Sequence, residues 1–339
     1  MRCTRSRSPM IRADRSRSFV PPLIVVSLAL SCAACSSSRV APNEREFEFE
    51  YATTLTEIPP DAKMLRVWIP VPSTDAAQTV TDLEIDAPVA HRLGEEKVYG
   101  SRLAYLEVEP PFADALHVTL RARILRREVA AVGDLVGPAG EARLLRGDRM
   151  APLDGEAKAR ALEAVALREG ASAKARGIYE KVLADVDYDK SGDGWGRGDL
   201  RFVCEEGRGN CSDFHTLFIA MARSQGIPAV FEIGFPLPEN AREGTIGGYH
   251  CWAWYRDDAS GWHPVDASEA DKNPARAEYY FGTICANRVA FSRGRDLVLD
   301  PPQDGEPLNF LIYPYVEVDG KPGGVQVSNA FRFRDVDER

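Results

Sequence analysis

The chain has 339 residues, 44% of them apolar and 27% charged, and a formal net charge of −9 at pH 7. That is enough apolar material for one or two domains with a real core. The acidic balance excludes a nucleic-acid binder, which carries a basic face.

Arg2, Arg5, Arg7, Arg12, Arg15 and Arg17 crowd the first residues, with Asp14 the one acidic group among them. An apolar run, Phe19 to Leu30, follows; it is broken by Pro21 and Pro22 and too short for the roughly 20 residues of a membrane span. A basic stretch, a short apolar stretch and then small residues make a secretory signal. Its end, Leu30-Ser31-Cys32-Ala33-Ala34-Cys35-Ser36, resembles the lipobox of bacterial lipoproteins, with Cys32 where Leu is usual. The resemblance implies Cys35 as the lipidated first residue of the mature chain. The expectation is an exported protein of the periplasm or cell envelope, held to the membrane by a lipid anchor. Residues 1–35 are then the leader, and 36–44 a polar tether.

Apolar and polar residues alternate from about Glu46, with Phe47, Phe49 and Tyr51 on one side and Glu48 and Glu50 on the other. Runs at 64–72, 79–85, 103–108 and 116–125 continue the pattern between Pro and Gly breaks. This predicts an all-β, sandwich-like domain over 45–128. His91 and His117 are isolated there and read as structural. Residues 129–184 form a linker and helices: Asp154 is placed to cap a helix running to Glu169, and a second helix spans about 172–184.

The Gly/Asp-rich stretch Asp185–Asp199 has the alternating acids of a calcium loop. The twelfth position from Asp187 is Gly198, however, where a bidentate Glu is required. It reads instead as a loop at a cleft mouth, with Trp195 as a wall.

Chemistry concentrates after it. Cys211, preceded by Gly209-Asn210, starts an apolar helical pattern through Phe214, Leu217, Phe218 and Met221, ended by Gly226-Ile227-Pro228. A thiol at a helix N-terminus is favoured as thiolate by the helix dipole and free amides. His250 opens one strand-like run and Asp266 closes another, so Cys, His and Asp arrive in the order of a nucleophile, a proton shuttle and its orienting carboxylate.

These three blocks resemble the transglutaminase-like superfamily. They are Gly209-Asn210-Cys211-Ser212-Asp213 with Gly226-Ile227-Pro228-Ala229, then His250-Cys251-Trp252-Ala253-Trp254, then Trp262-His263-Pro264-Val265-Asp266. The resemblance implies a papain-like α+β core over 185–339 and a Cys211–His250–Asp266 triad. It implies a thioester formed on an amide or peptide carbonyl, with no cofactor and a protein or peptide as substrate. Hydrolysis by a cysteine peptidase or amidase is the preferred outcome. Amine transfer to protein glutamine and a non-catalytic binding module are the alternatives. Trp195 and Tyr188 are candidates for the cleft wall or a second oxyanion donor. The tail, about 309–333, is expected to add strands to the sheet of the core.

Two rivals remain at this level. Cys204, Cys211, His215, His250, Cys251 and His263 contain enough ligands for zinc, but adjacent strand residues such as His250 and Cys251 point to opposite faces. Outside the cytoplasm, Cys204, Cys251 and Cys285 could also form one disulfide in any of three pairings.

Overall fold

Alternation in the N-terminal third folds into strands β1 (Glu44–Thr56), β2 (Leu65–Val71), β3 (Gln78–Asp86), β4 (His91–Glu95), β5 (Arg102–Val108) and β6 (Ala115–Arg127). The computed structural model describes residues 44–336, so the leader, Cys32, Cys35 and the tether lie outside the described residues. Helices α1 (Pro138–Arg143), α2 (Gly155–Val165) and α3 (Ala171–Asp185) come next. A short parallel pair, β7 (Asp187–Tyr188) and β8 (Arg208–Gly209), brackets α4 (Leu200–Glu206). Next come α5 (Cys211–Ser224), β9 (Ala229–Pro236), β10 (Glu243–Ile246), β11 (His250–Asp257), β12 (Gly261–Val265), α6 (Ala267–Lys272), α7 (Ala277–Tyr280) and β13 (Arg288–Arg293). The chain closes with β14 (Tyr315–Val318), β15 (Lys321–Pro322) and β16 (Gln326–Asp335).

Three antiparallel sheets result, ordered β10-β16-β1-β6-β3, β15-β14-β2-β5-β4 and β12-β11-β9-β13. The first two face each other across one buried cluster, to which β1, β2, β5 and β6 all contribute. The third is the core sheet, and α5 packs on it.

The tail does not extend that core sheet. β14 pairs with β2, and β16 pairs with β1 over ten residues, from Phe47↔Asp335 to Thr56↔Gln326. The reason is register. In β16, Phe331 and Phe333 alternate with Arg332 and Arg334. Pairing with β1 puts Phe331 against Tyr51 (4.8 Å) and Phe235 (4.2 Å) in the core, and sets Arg332 and Arg334 on Glu50 (2.8 Å) and Glu48 (2.6 Å) outside. A one-residue slip would exchange the two faces. The two tail segments therefore do not form a hairpin with each other.

α5 is the most enclosed element, with Cys211 to Arg223 all buried. α2, α3, α4 and α6 surround the sides that the sheet leaves open. Gly226, at φ +75°, stops it in a conformation that costs glycine little. Two local expectations shift. α1 lies inside the stretch read as a connection, started by Pro138 in its first turn. Asp154 occupies the N-cap of α2 without a side-chain capping bond, and that helix ends at Val165.

A groove of about 900 Å³ lies on the outer face of the first sheet, lined by Glu48, Glu50, Arg121, Arg123, Arg332 and Arg334 among others. It holds neither cysteine nor histidine, and its charges pair across strands, as on a solvated sheet face.

Candidate active site

The start of α5 is set by a reciprocal cap. Asn210 Oδ1 accepts the Ser212 N–H at 2.8 Å, and Asp213 Oδ2 accepts the Asn210 N–H at 2.9 Å. Asp213 also accepts the amides of Gly196 (2.7 Å) and Gly198 (3.0 Å). One buried carboxylate thus clamps the Gly/Asp-rich loop to the helix that begins with Cys211. A Cβ at position 209 would lie 2.4 Å from Asp213 Oδ2, so Gly209 is required by space. The amides of Asp213 and Phe214 are taken by Asn210 O, and that of Ser212 by Asn210 Oδ1. The Cys211 N–H precedes them in the first turn, where helix amides have no intrahelical partner.

β11 delivers His250 at its first residue, and Asp266 follows the last residue of β12 as the N-cap of α6. Antiparallel pairing of these strands, Ala253↔Val265 to Asp257↔Gly261, brings the two together. His250 Nε2 donates to Asp266 Oδ2 at 2.7 Å. That leaves Nδ1 for the Cys211 thiol, which is in hydrogen-bonding contact with both His250 and Cys251. Asp266 is fully engaged. Oδ2 also accepts Arg288 Nη1 at 3.0 Å, while Oδ1 accepts Ser268 Oγ and the Glu269 N–H, each at 3.1 Å. The structure therefore brings Cys211, His250 and Asp266 into one buried row, with exposures of 2%, 5% and 0%.

The electrostatics of that row favour a thiolate–imidazolium pair. Burial works against the charged thiol, but hydrogen bonds from Cys251 and His250 and the His250 charge outweigh it, holding Cys211 well below its usual range. Burial likewise disfavours the His250 cation, yet the Asp266 carboxylate and the Cys211 contact lift it to about 10. Asp266 is penalised by burial and still held well below the carboxylate range by His250 and Arg288.

His215, named in the sequence only among possible zinc ligands, bridges two elements. Its Nδ1 donates to Cys211 O at 2.7 Å, and its Nε2 accepts the Ala267 N–H at 3.1 Å. Each bond fixes the other's tautomer, so the ring is neutral, and burial pushes its pKa down to about 4. It ties the helix turn that carries Cys211 to the residue after Asp266. Arg288, on β13, also escaped sequence reading. It is buried over the Trp252 ring at 4.8 Å and touches Cys285 Sγ at 3.4 Å. Neither residue has a local motif; each is recognisable only once β13 and α6 are placed.

The other expected residues are placed as follows. Trp195 is half-buried, and its indole N–H is spent on Gly192 O at 3.0 Å within its own loop. Tyr188 is half-buried beneath the Lys272 ammonium, 4.1 Å from the ring centroid, with its backbone N–H on Asp271 at 3.1 Å. Lys272 in turn pairs with Glu269 at 2.6 Å, and Glu269 lies 3.9 Å from His250 Nε2. Cys204, Cys211, Cys251 and Cys285 are all free thiols. Among the described residues, no group of three or more His, Cys, Asp or Glu side chains is arranged to hold a metal ion. His91 and His117 sit on exposed sheet positions away from the row.

Residues 158–267 match the model of the transglutaminase-like superfamily. An uncharacterized protein of Haemophilus influenzae is 33% identical over 181 residues, covering 44% of this chain and 49% of that one, so the match spans about half the relative's length. Among solved structures, a Cytophaga hutchinsonii protein described as a "putative cysteine protease" superposes with a TM-score of 0.59 over 88% of this chain and 92% of its own. At 14% identity that is a likeness of fold.

Proposed function

Starting from a chain whose residues 158–267 match the transglutaminase-like superfamily, we propose that it is a cysteine-dependent acyl-transfer enzyme that hydrolyses amide or peptide bonds. The observation that carries this reading is the buried Cys211–His250–Asp266 row, with an imidazole that burial alone would discharge held as a cation beside the thiol.

The steps follow from the charges. The Cys211 thiolate attacks the carbonyl carbon, a C–S bond forms, and the carbonyl oxygen becomes an oxyanion near the Cys211 amide. On collapse the C–N bond breaks, and the amine leaves with the proton from His250. Water then enters, gives its proton to the now neutral His250, and attacks the thioester. The C–S bond breaks, the carboxylic acid is released and gives its remaining proton to solvent, and the ion pair is restored. Asp266 keeps its charge throughout and holds the imidazole by Nε2.

Amine in place of water would give a transglutaminase, using the same residues. We read water as the acceptor because it needs no second binding site. Protein or peptide substrates fit the class. An anchor at Cys35 in the cell envelope would place the enzyme beside envelope proteins and peptide cross-links.

The test is a peptide-library digest with wild type and Cys211→Ala, repeated with a labelled primary amine. Cleavage by wild type alone supports the proposal. Amine incorporation without cleavage assigns the transglutaminase reaction instead, and no Cys211-dependent product in either assay overturns the enzyme reading.

A further inference from the structure

Attack on a carbonyl needs donors for the oxyanion, and the Cys211 amide supplies one. The Trp195 indole is committed to Gly192 O, and Tyr188 lies beneath Lys272. The structure holds another hydroxyl at the helix start. Tyr249 Oη lies 3.1 Å from Asn210 Nδ2 and 3.5 Å from Ser212 Oγ, the residues on either side of Cys211.

The proton on that hydroxyl is free. Asn210 Oδ1 is fixed as acceptor of the Ser212 N–H, so the amide's NH2 must point at Tyr249, and Tyr249 Oη accepts from it. The 3.5 Å to Ser212 Oγ is too long to hold the phenolic proton firmly. Burial and the nearby thiolate raise the Tyr249 pKa well above its ordinary value, so the proton stays on the oxygen. The ring is fixed by Phe310 and Tyr313, at centroid distances of 5.9 and 6.0 Å. Space beside the hydroxyl is kept open by Gly196, at φ +83°: a Cβ there would stand 3.6 Å from Tyr249 Oη and 3.1 Å from Asn210 Nδ2. Tyr249 is the residue before β11, so His250 and the hydroxyl enter the site from one short segment.

We propose that the Tyr249 hydroxyl is the second oxyanion donor, acting with the Cys211 amide on the tetrahedral intermediate. The proposal rests on the acyl-transfer reading. It makes Tyr249 a catalytic residue that binds only where charge develops, and it assigns the loop glycine Gly196 the role of leaving room for the substrate oxygen.

Two electrophiles separate this role from a structural one. p-Nitrophenyl acetate acylates a thiol through a tetrahedral oxyanion. Iodoacetamide alkylates the same thiol at a methylene carbon, and no oxyanion forms. In Tyr249→Phe the rate of Cys211 acylation is expected to fall about 100- to 1,000-fold, the usual effect of losing one such donor. Its rate of alkylation at pH 6 is expected to stay within about threefold of wild type, which also reports an intact fold and ion pair. Unchanged acylation overturns the proposal, and so does an equal fall in both reactions, which would make Tyr249 a support for the helix end. A wild type whose p-nitrophenol burst is no larger than that of Cys211→Ala overturns the acyl-transfer reading, and this inference with it.

Discussion

His250→Ala tests whether the imidazole, rather than the helix end, makes Cys211 reactive. Burial raises the Cys211 pKa; hydrogen bonds from Cys251 and His250 and the His250 charge oppose it, while His215 is neutral and adds no full charge. Of these His250 contributes both a hydrogen bond and a full charge. Without it the thiol returns to its ordinary value of 9.0 or above. At pH 6 its thiolate share is then about one in a thousand, three pH units below the midpoint. A more basic thiolate is a better nucleophile, with a Brønsted coefficient of about 0.4–0.5, and this offsets part of the loss. The net expectation is a ten- to hundredfold slower reaction with iodoacetamide at pH 6.

The shape of the profile is more telling than one rate. Wild type should be nearly flat from pH 6 until His250 loses its proton near 10. The variant should climb about tenfold per pH unit towards 9 and then overtake wild type, because its unpaired thiolate is the stronger nucleophile. The measurement is the pseudo-first-order rate of labelling from pH 5 to 10, with Cys211→Ala as blank. Superimposable profiles would refute the ion pair and leave the helix dipole as the source of any activation.

Three further outcomes follow from single contacts. His215 is fully buried with a pKa near 4 against 6.5 when exposed, so the folded state binds fewer protons than the unfolded chain between those values. Stability from this group is complete above pH 6.5 and falls by about 3 kcal/mol as pH drops to 4; His215→Phe should lower stability at pH 7.5 yet flatten that acid slope in urea titrations, and an unchanged slope would count against the neutral bridging ring. Asp213→Ala removes a carboxylate holding three backbone amides, and should cost about 3 kcal/mol and open residues 192–198 to limited proteolysis; an intact loop under trypsin would contradict the clamp. Gly234→Ala places a Cβ 1.8 Å from Val289 O, so β9 and β13 must part, with a loss of about 3 kcal/mol in the urea midpoint analysis; a neutral effect would mean the two strands pack more loosely than described.

What was legible in the sequence was what local periodicity encodes. Phe47, Phe49 and Tyr51 declare a strand without reference to anything distant, and the apolar spacing from Phe214 to Met221 declares a helix headed by Cys211. His250 and Asp266 were legible because each ends or begins a run whose partner lies a short hairpin away. The strand partners of the tail were not. Phe331 and Phe333 alternate equally well for either sheet, and only the facing Glu48 and Glu50 select β1. His215, Arg288 and Tyr249 were hidden for the same reason. His215 meets Cys211 one turn away on its own helix, but its contact with Ala267, that of Arg288 with Asp266 and that of Tyr249 with Asn210 join distant segments, about which sequence spacing says nothing.

The contacts also argue that the β layers and the core are one catalytic body. Gln78, at the start of β3, gives its side-chain N–H to Ala290 O and takes the Ala290 N–H, each at 2.9 Å. It imitates a strand partner where the β9–β13 register slips, between Ala290 and Ser292. Two residues earlier on β13, Arg288 holds Asp266. From the other side, Arg45 of β1 donates to Asn287 Oδ1 at 2.9 Å and to Pro238 O at 3.0 Å. The strand carrying the carboxylate's counter-charge is therefore pinned just before its start and at its bulge by the N-terminal sheet. The bulge itself leaves Ala290 polar groups that only an outside partner can satisfy, and a buried amide left unpaired costs about 1–3 kcal/mol. Cutting the chain at 128 would orphan those groups and unfix Arg288 together, so the β layers are part of what sets the charge on His250.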